Sequence, residues 1–181
     1  MSEVSVGKVL VGADVIQEKV REIGGEISRD YAGKRPVLVG VLNGALIFMA
    51  DLMREIDLPL EAYMMAASSY DGYESTGIVE IIKPLDASIT GRDVILVEDI
   101  VDTGKTLDCL LESMQSEEPA SLEVCALLNK KSRRMVEVPI KYVGFEIPDE
   151  FVVGYGLDYN QRYRNLPYVA SMNAAAVNGA G

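Results

Sequence analysis

The feature that most constrains this chain is the run Val94-Ile95-Leu96-Val97, followed without a break by Glu98-Asp99-Ile100-Val101-Asp102-Thr103-Gly104-Lys105-Thr106-Leu107. Four aliphatic residues in succession have no polar face. They predict a strand covered on both sides, the state of a central strand in a parallel sheet. Glu98 and Asp99 are expected to end that strand, Asp102 follows in the turn, and Thr103-Gly104-Lys105-Thr106 opens an apolar helical run. In open α/β sheets the carboxyl ends of the strands are where ligands bind. A turn rich in Thr and Gly at a helix N-terminus offers free N–H groups and the positive end of the helix dipole to an anion. The segment therefore places an acidic pair, suited to vicinal hydroxyls or a divalent ion, beside a cradle suited to a phosphate. A molecule with hydroxyls next to a phosphate is a ribose phosphate. The plainer alternatives are a solvated Glu-Asp turn, and Asp102 as a helix N-cap with Lys105 pointing to water.

Composition narrows the classes open to such a chain. A length of 181 residues fits one domain with a core of its own, expected over 1–172, and the small residues of 173–181 read as a flexible tail. The net charge is −11 and there is no histidine. General nucleic-acid binding needs Lys and Arg to neutralise phosphates, so the balance argues against it. Without histidine there is no His-based triad and the commonest metal ligand is missing. Any general base must be a carboxylate, Lys, Tyr or Cys. Cys109 and Cys125 are too few for a disulfide framework and read as small core residues. No apolar run approaches the roughly 20 residues of a membrane span. Met1-Ser2-Glu3-Val4-Ser5 lacks the basic and apolar regions of a signal peptide, so a cytoplasmic location is expected.

Periodicity sets out the rest. Ile16, Val20, Ile23, Ile27 and Tyr31 recur at helical spacing, although Gly24-Gly25 inside that helix costs roughly 1 kcal/mol per glycine relative to alanine. Pro36 introduces a buried strand, Val37 to Leu42, and Asn43-Gly44 makes a turn. A helix from Ala45 to Ile56 is expected to share Leu46, Met49, Ala50 and Met53 on one face, and a strand from Leu60 to about Ser68 follows. That is a βαβ unit with short connections. Ser69 to Gly77 is a polar loop. Further strands are expected over 78–83, 93–98, 122–128 and 141–147, with a helix from Lys105 to Met114. The expected architecture is an α/β sheet of about five strands, mostly parallel and flanked by helices, with a small hood from both chain ends.

The strand, the two acids, the acidic turn and Thr103-Gly104-Lys105-Thr106 together resemble the phosphoribosyl-pyrophosphate motif of the type I phosphoribosyltransferases. Over Val37 to Pro167 the resemblance narrows to the purine branch, the hypoxanthine-guanine phosphoribosyltransferases. It implies that Leu42-Asn43-Gly44 is a pyrophosphate-binding turn, often with a non-proline cis peptide; Asn43 stands where a basic residue is usual. Ser69-Tyr70, with Ser75-Thr76-Gly77, is similar to the family's mobile loop, whose closure would exclude water. Lys130 is similar to the lysine that donates to the exocyclic oxygen of a 6-oxopurine, whereas Lys131 and Arg133 read as a solvated charge run. In Phe151-Val152-Val153-Gly154-Tyr155-Gly156-Leu157-Asp158, the resemblance places Phe151 over the purine face and the backbone of Val152 at the base's ring edge. There, stacking is worth about 0.5–1.5 kcal/mol beyond area burial. Asp158 lies at the purine and at the Mg²⁺ that carries pyrophosphate, and Arg164 on pyrophosphate. Glu150 replaces a lysine of some relatives.

What the resemblance implies is a transferase that moves 5-phosphoribosyl from phosphoribosyl pyrophosphate to N9 of hypoxanthine or guanine, yielding IMP or GMP and pyrophosphate. Asp102, Thr103, Gly104, Lys105 and Thr106 would hold the 5′-phosphate, while Glu98 and Asp99 would bind the ribose hydroxyls and take a share in the metal. Asp102 would be the general acid/base at N7. Mg²⁺ is the implied cofactor, and a homodimer or homotetramer with no nucleic-acid or membrane partner is expected. Two other classes remain: a non-catalytic nucleotide-sensing regulator, which would carry a basic nucleic-acid face, and a metal-binding phosphoacceptor domain. The second leaves Thr103-Gly104-Lys105-Thr106 and Lys130 without a role.

Overall fold

Strands without a polar face that alternate with amphipathic helices can bury both only as a layered α/β sheet. The computed structural model, which describes residues 6–69 and 79–172, has that form. In chain order it contains β1 (Val6–Val11), α1 (Ala13–Asp30), β2 (Val37–Leu42), α2 (Leu46–Glu55), β3 (Glu61–Ser69) and β4 (Val79–Lys83). There follow β5 (Asp93–Val101), α3 (Lys105–Gln115), β6 (Ser121–Asn129), a 3-10 turn at Lys131–Arg133, β7 (Tyr142–Glu146), β8 (Val152–Val153) and β9 (Val169–Met172).

The main sheet has six strands in the order β4-β3-β2-β5-β6-β7, one for each strand segment that periodicity marks, although a sheet of about five was expected. All neighbours are parallel except β4, which runs antiparallel to β3 at one edge. Val94, Ile95, Leu96 and Val97 are all fully buried. Ile95 and Val97 join the core under α1 and α2, and Val94 and Leu96 the core under α3. The chain ends form the hood as a second, antiparallel sheet, β1-β9-β8. Strand β1 has no clear sequence signal. It pairs with β9 through an irregular register, Val6 with Met172 and Val9 with Ala170, so its partner makes it a strand.

Two sequence expectations are corrected here. Helix α2 buries Phe48, Met49 and Leu52, with Ala45 just before it, whereas Leu46 and Met53 are exposed. The run from Ala45 to Ala50 is apolar all round, so periodicity could not choose between two adjacent faces; packing against α1 and the sheet did. Cys125 is core, but Cys109 is only half-buried because α3 turns Leu107, Leu110 and Met114 inward. The glycine inside α1 has a packing reason: a Cβ on Gly24 would lie 2.6 Å from the Glu55 Cβ and 2.7 Å from its carbonyl oxygen. Among the described residues no helix is long and apolar enough to cross a membrane.

Candidate active site

From β2 the sheet grows one way, through β3, and from β5 it grows the other, through β6. The connections after β2 and β5 therefore diverge at their carboxyl ends, the point where open α/β sheets bind ligands. The last β2–β5 pair is Gly40 with Val97, while β5 stays paired to β6 as far as Val101 with Asn129. Glu98 and Asp99 thus lie inside β5 rather than ending it, because β6 still supplies a ladder after β2 has left.

Both acids are electrostatically unsatisfied. Glu98 is buried, and loss of hydration holds its carboxyl well above the usual range, with the Asp99 charge adding to the rise. Asp99 is raised to about 6, first by lost hydration, against the lowering effect of backbone N–H groups and Arg164; the charge of Asp158 raises it further. The Ile100 N–H donates to Asp99 Oδ1 at 2.8 Å, and among the described residues neither acid forms an ion pair. Such a pair favours ligands that bring hydroxyl donors or a cation.

At the start of α3, Gly104 has φ +87° and no side chain caps the helix, so Asp102 is not its N-cap. A Cβ on Gly104 would also lie 2.4 Å from the Val136 carbonyl oxygen. The first-turn N–H groups of α3 consequently remain available to an anion. Thr103 Oγ1 makes only a long 3.4 Å contact from Lys105 N–H, and Lys105 is exposed. Thr106 belongs to the same first turn.

The segment after β6 is laced onto this turn. The N–H groups of Met135 and Val136 donate to the Thr103 carbonyl at 2.9 and 3.0 Å. Arg134 Nε donates to the Asp102 carbonyl at 3.2 Å, and its guanidinium reaches the Asn129 side-chain oxygen. Arg133 Nε lies 3.4 Å from Asp102 Oδ1, an ion-pair distance without hydrogen-bond geometry, since that oxygen is buried and accepts no hydrogen bond. Arg133 also stands 3.8 Å from Asp149, and Lys131 pairs with Glu146, so both are exposed yet paired rather than a free charge run. Sequence reading missed Asn129 and Arg134, whose link to Asp102 spans about thirty residues and leaves no local pattern. Lys130 is 5% exposed, its N–H donates to the Val101 carbonyl at 3.0 Å, and no carboxylate among the described residues pairs with its ammonium.

The third part is assembled across the fold. The Leu42–Asn43 peptide is cis. Gly44 touches Asp99, since a Cβ there would fall 1.6 Å from Asp99 Oδ2. Against the Gly44 carbonyl packs Gly156, with φ +104° and room for no side chain. Arg164 donates to the Gly156 carbonyl at 2.7 Å and pairs with Asp158 Oδ1 at 2.9 Å, while the Gln161 N–H donates to Asp158 Oδ2 at 2.8 Å. Asn43 is exposed. Phe151 is 43% exposed and stands edge-on to Tyr159, centroids 5.8 Å apart, with Val152 buried in β8 beside it. Ser69 is the last residue of β3; Tyr70, with Ser75, Thr76 and Gly77, lies outside the described residues.

A doubly wound sheet with an acid pair and an uncapped helix start at its switch point defines the class of the type I phosphoribosyltransferases. The phosphoribosyl transferase domain family matches residues 12–160, and the chain belongs to that family, in its hypoxanthine phosphoribosyltransferase branch. It is 50% identical over 168 residues to the hypoxanthine phosphoribosyltransferase of Salmonella typhimurium, covering 91% of this chain and 94% of that one. It is similar to the crystal structure of a hypoxanthine phosphoribosyltransferase from Staphylococcus aureus, with a TM-score of 0.89 and 48% identity, covering 93% of this chain and 92% of that chain. It is also 50% identical over 165 residues to the bifunctional protein TilS/HprT of Listeria monocytogenes, and there it spans only 26% of the relative's length.

Proposed function

We propose that this chain is a purine-salvage enzyme that transfers 5-phosphoribosyl from phosphoribosyl pyrophosphate to N9 of hypoxanthine or guanine. The products are IMP or GMP and pyrophosphate. The observation that carries this reading is the contact between Asp99, beside buried Glu98, and Gly44, next to the uncapped start of α3. One crevice thereby offers sites for a ribose diol, a 5′-phosphate and a second anion.

In this reading the N–H groups of residues 102–106, helped by the Thr103 and Thr106 hydroxyls, hold the 5′-phosphate. Glu98 and Asp99 accept hydrogen bonds from the 2′- and 3′-hydroxyls. As the bond from ribose C1′ to pyrophosphate breaks, positive charge grows on the ring, and the two carboxylates stabilise it. N9 of the purine then bonds to C1′, and Asp102 takes the proton from N7. Lys130, buried and without a carboxylate partner, donates to the exocyclic oxygen and so selects 6-oxopurines over adenine. Phe151 stacks on the base, and the backbone of Val152 meets its edge. Leu42, Asn43, Gly44 and Arg164 receive pyrophosphate.

Mg²⁺ suits this donor set. Among the described residues no three Asp, Glu or Cys groups form a cage, and Mg²⁺ characteristically takes one or two carboxylates and completes its shell with substrate oxygens and water. Glu98, Asp99 and Asp158 are the carboxylates in reach of that role. When bound, the ion neutralises charge on the departing pyrophosphate. The proposal extends to a single domain over residues 1–172, a homodimer or homotetramer, and a cytoplasmic location.

The test is a Mg²⁺-dependent absorbance assay with phosphoribosyl pyrophosphate and, separately, hypoxanthine, guanine, xanthine, adenine and uracil. Turnover confined to 6-oxopurines, with the preference over adenine lost in Lys130→Ala and the rate lowered by about 10²–10⁴ in Asp102→Ala, supports the reading. A folded chain that binds nucleotide but turns over no base is a regulator instead.

A further inference from the structure

One largely buried polar cluster has no part in the chemistry above. Asp51, midway along α2, accepts two hydrogen bonds on Oδ2: the Tyr155 hydroxyl at 2.5 Å and the Gln17 amide of α1 at 3.0 Å. Its other oxygen pairs with Arg54, one turn further on. Burial and the Asp51 charge push the Tyr155 phenol well above its usual range, so it remains a donor. Three elements that are distant in sequence thus converge on one carboxylate.

The backbone at Tyr155 is unusual. Gly154, Tyr155 and Gly156 have φ of +99°, +51° and +104°, three left-handed residues in a row. A tyrosine holds that conformation only where the surroundings over-determine it. Here Tyr155 N–H donates to the Leu166 carbonyl at 2.8 Å, Gly156 N–H to the Arg164 carbonyl at 2.9 Å, and the phenol reaches Asp51. The hood segment therefore touches the α2 unit at two points. Gly156 abuts the Gly44 carbonyl just before the helix, and Tyr155 grips Asp51 seven residues, or about two helical turns, later. Two contacts along one helix fix both the distance and the tilt of the segment that carries Asp158 and Arg164. Phe151 and Val152 are anchored separately, by the pairing of Val152 with Ser171 and by Met172 N–H on the Phe151 carbonyl at 2.8 Å.

We propose that Tyr155 and Asp51 are positioning residues for the pyrophosphate end of the site, holding Gly156, Asp158 and Arg164 against the Leu42-Asn43-Gly44 turn without acting on the purine. The inference rests on the transferase reading for its ligand, but its test does not need turnover. Tyr155→Phe keeps the ring and removes one hydroxyl; Asp51→Ala removes the acceptor; Asp51→Asn retains one. Affinity for inorganic pyrophosphate with Mg²⁺ is measured by titration calorimetry, beside KM for phosphoribosyl pyrophosphate, KM for hypoxanthine and the melting temperature.

Tyr155→Phe and Asp51→Ala should each weaken pyrophosphate binding and raise KM for phosphoribosyl pyrophosphate about tenfold, with KM for hypoxanthine within about twofold. Asp51→Asn should recover most of the loss. A parent chain that turns over no base, yet binds pyrophosphate and loses it in Tyr155→Phe, sinks the transferase reading and supports the positioning role. Equal rises in both KM values, or a lowered melting temperature with pyrophosphate affinity unchanged, overturn the inference. Should Asp51→Ala fail to fold, Tyr155→Phe decides the matter.

Discussion

The turn between β5 and α3 and the segment from Phe151 to Arg164 both present groups to the same crevice, and they are ordered by different forces. In the first, the groups that face the crevice lie within the nine residues from Glu98 to Thr106, and the geometry follows from a strand, one left-handed glycine and a helix start. In the second, left-handed residues recur at 154, 155, 156, 160, 161 and 163, and regular structure is confined to the two-residue β8. That segment is shaped by what it touches: the Gly44 carbonyl, Asp51, and its own return through Arg164 and Leu166. The turn is ordered locally, whereas the segment from Phe151 to Arg164 depends on packing between remote parts of the chain.

The largest effect expected lies in the first region. Asp102→Ala should lower kcat by about 10²–10⁴ without moving the melting temperature appreciably, because the residue is part-exposed and its side chain accepts no hydrogen bond on the buried oxygen. Preserved turnover in a steady-state assay would remove it from the chemistry.

Next comes a matched pair. Gly104→Ala and Gly156→Ala each place a Cβ on a left-handed backbone and within 2.4 and 2.1 Å of a carbonyl oxygen, so each should cost about 1–3 kcal/mol in denaturant unfolding. Their ligand effects should separate. Gly104→Ala should weaken IMP, whose phosphate the proposed reading places at the start of α3, while Gly156→Ala should weaken pyrophosphate by displacing Gly44. Identical losses of both ligands in both variants would break the contrast between the regions.

A smaller, pH-dependent effect tests the acid pair itself. In the folded chain Asp99 titrates at about 6, above the ~3.9 of an unfolded chain. The folded state binds this proton more tightly, so the stability it contributes is full below ~3.9 and is lost as pH rises through the folded value. Glu98 shifts in the same direction. In metal-free buffer Asp99→Asn should therefore melt several degrees above the parent near pH 7.5, roughly 2–4 °C for each kcal/mol, and the gap should close near pH 4. A gap independent of pH would mean that Asp99 is not held protonated by its burial.

The mildest effect belongs to the exposed turn. Asn43→Lys should tighten pyrophosphate by a few-fold, on the order of 1 kcal/mol or less, since a charge there is largely solvated. Competition binding with equal affinities would show that the backbone alone holds the anion.

What could be read from residue order divides along the same line. The buried strand, the acid pair and the phosphate cradle announce themselves because each is contiguous, with the side chains that matter a few bonds apart. The extent of β5 could not be read, because its continuation past Asp99 is set by β6. The buried face of α2 was ambiguous because apolar residues surround that helix, and β1 had no signal of its own because β9 makes it a strand. Cys109 and Arg133 were misjudged for a related reason: exposure and pairing are properties of neighbours.

Residue order alone dictates a two-faced parallel strand, an acid pair near its end and a helix start with free N–H groups, through short-range sterics and the hydrophobic demand that four successive aliphatic residues be covered on both sides. Long-range packing, by contrast, sets Gly44 against Asp99, Gly156 against Gly44, Arg134 on the Asp102 backbone and Tyr155 on Asp51. Those contacts join residues tens of positions apart, and no spacing along the chain encodes them. They exist because close packing of α1, α2, the sheet and the hood leaves one arrangement in which these buried polar groups find partners.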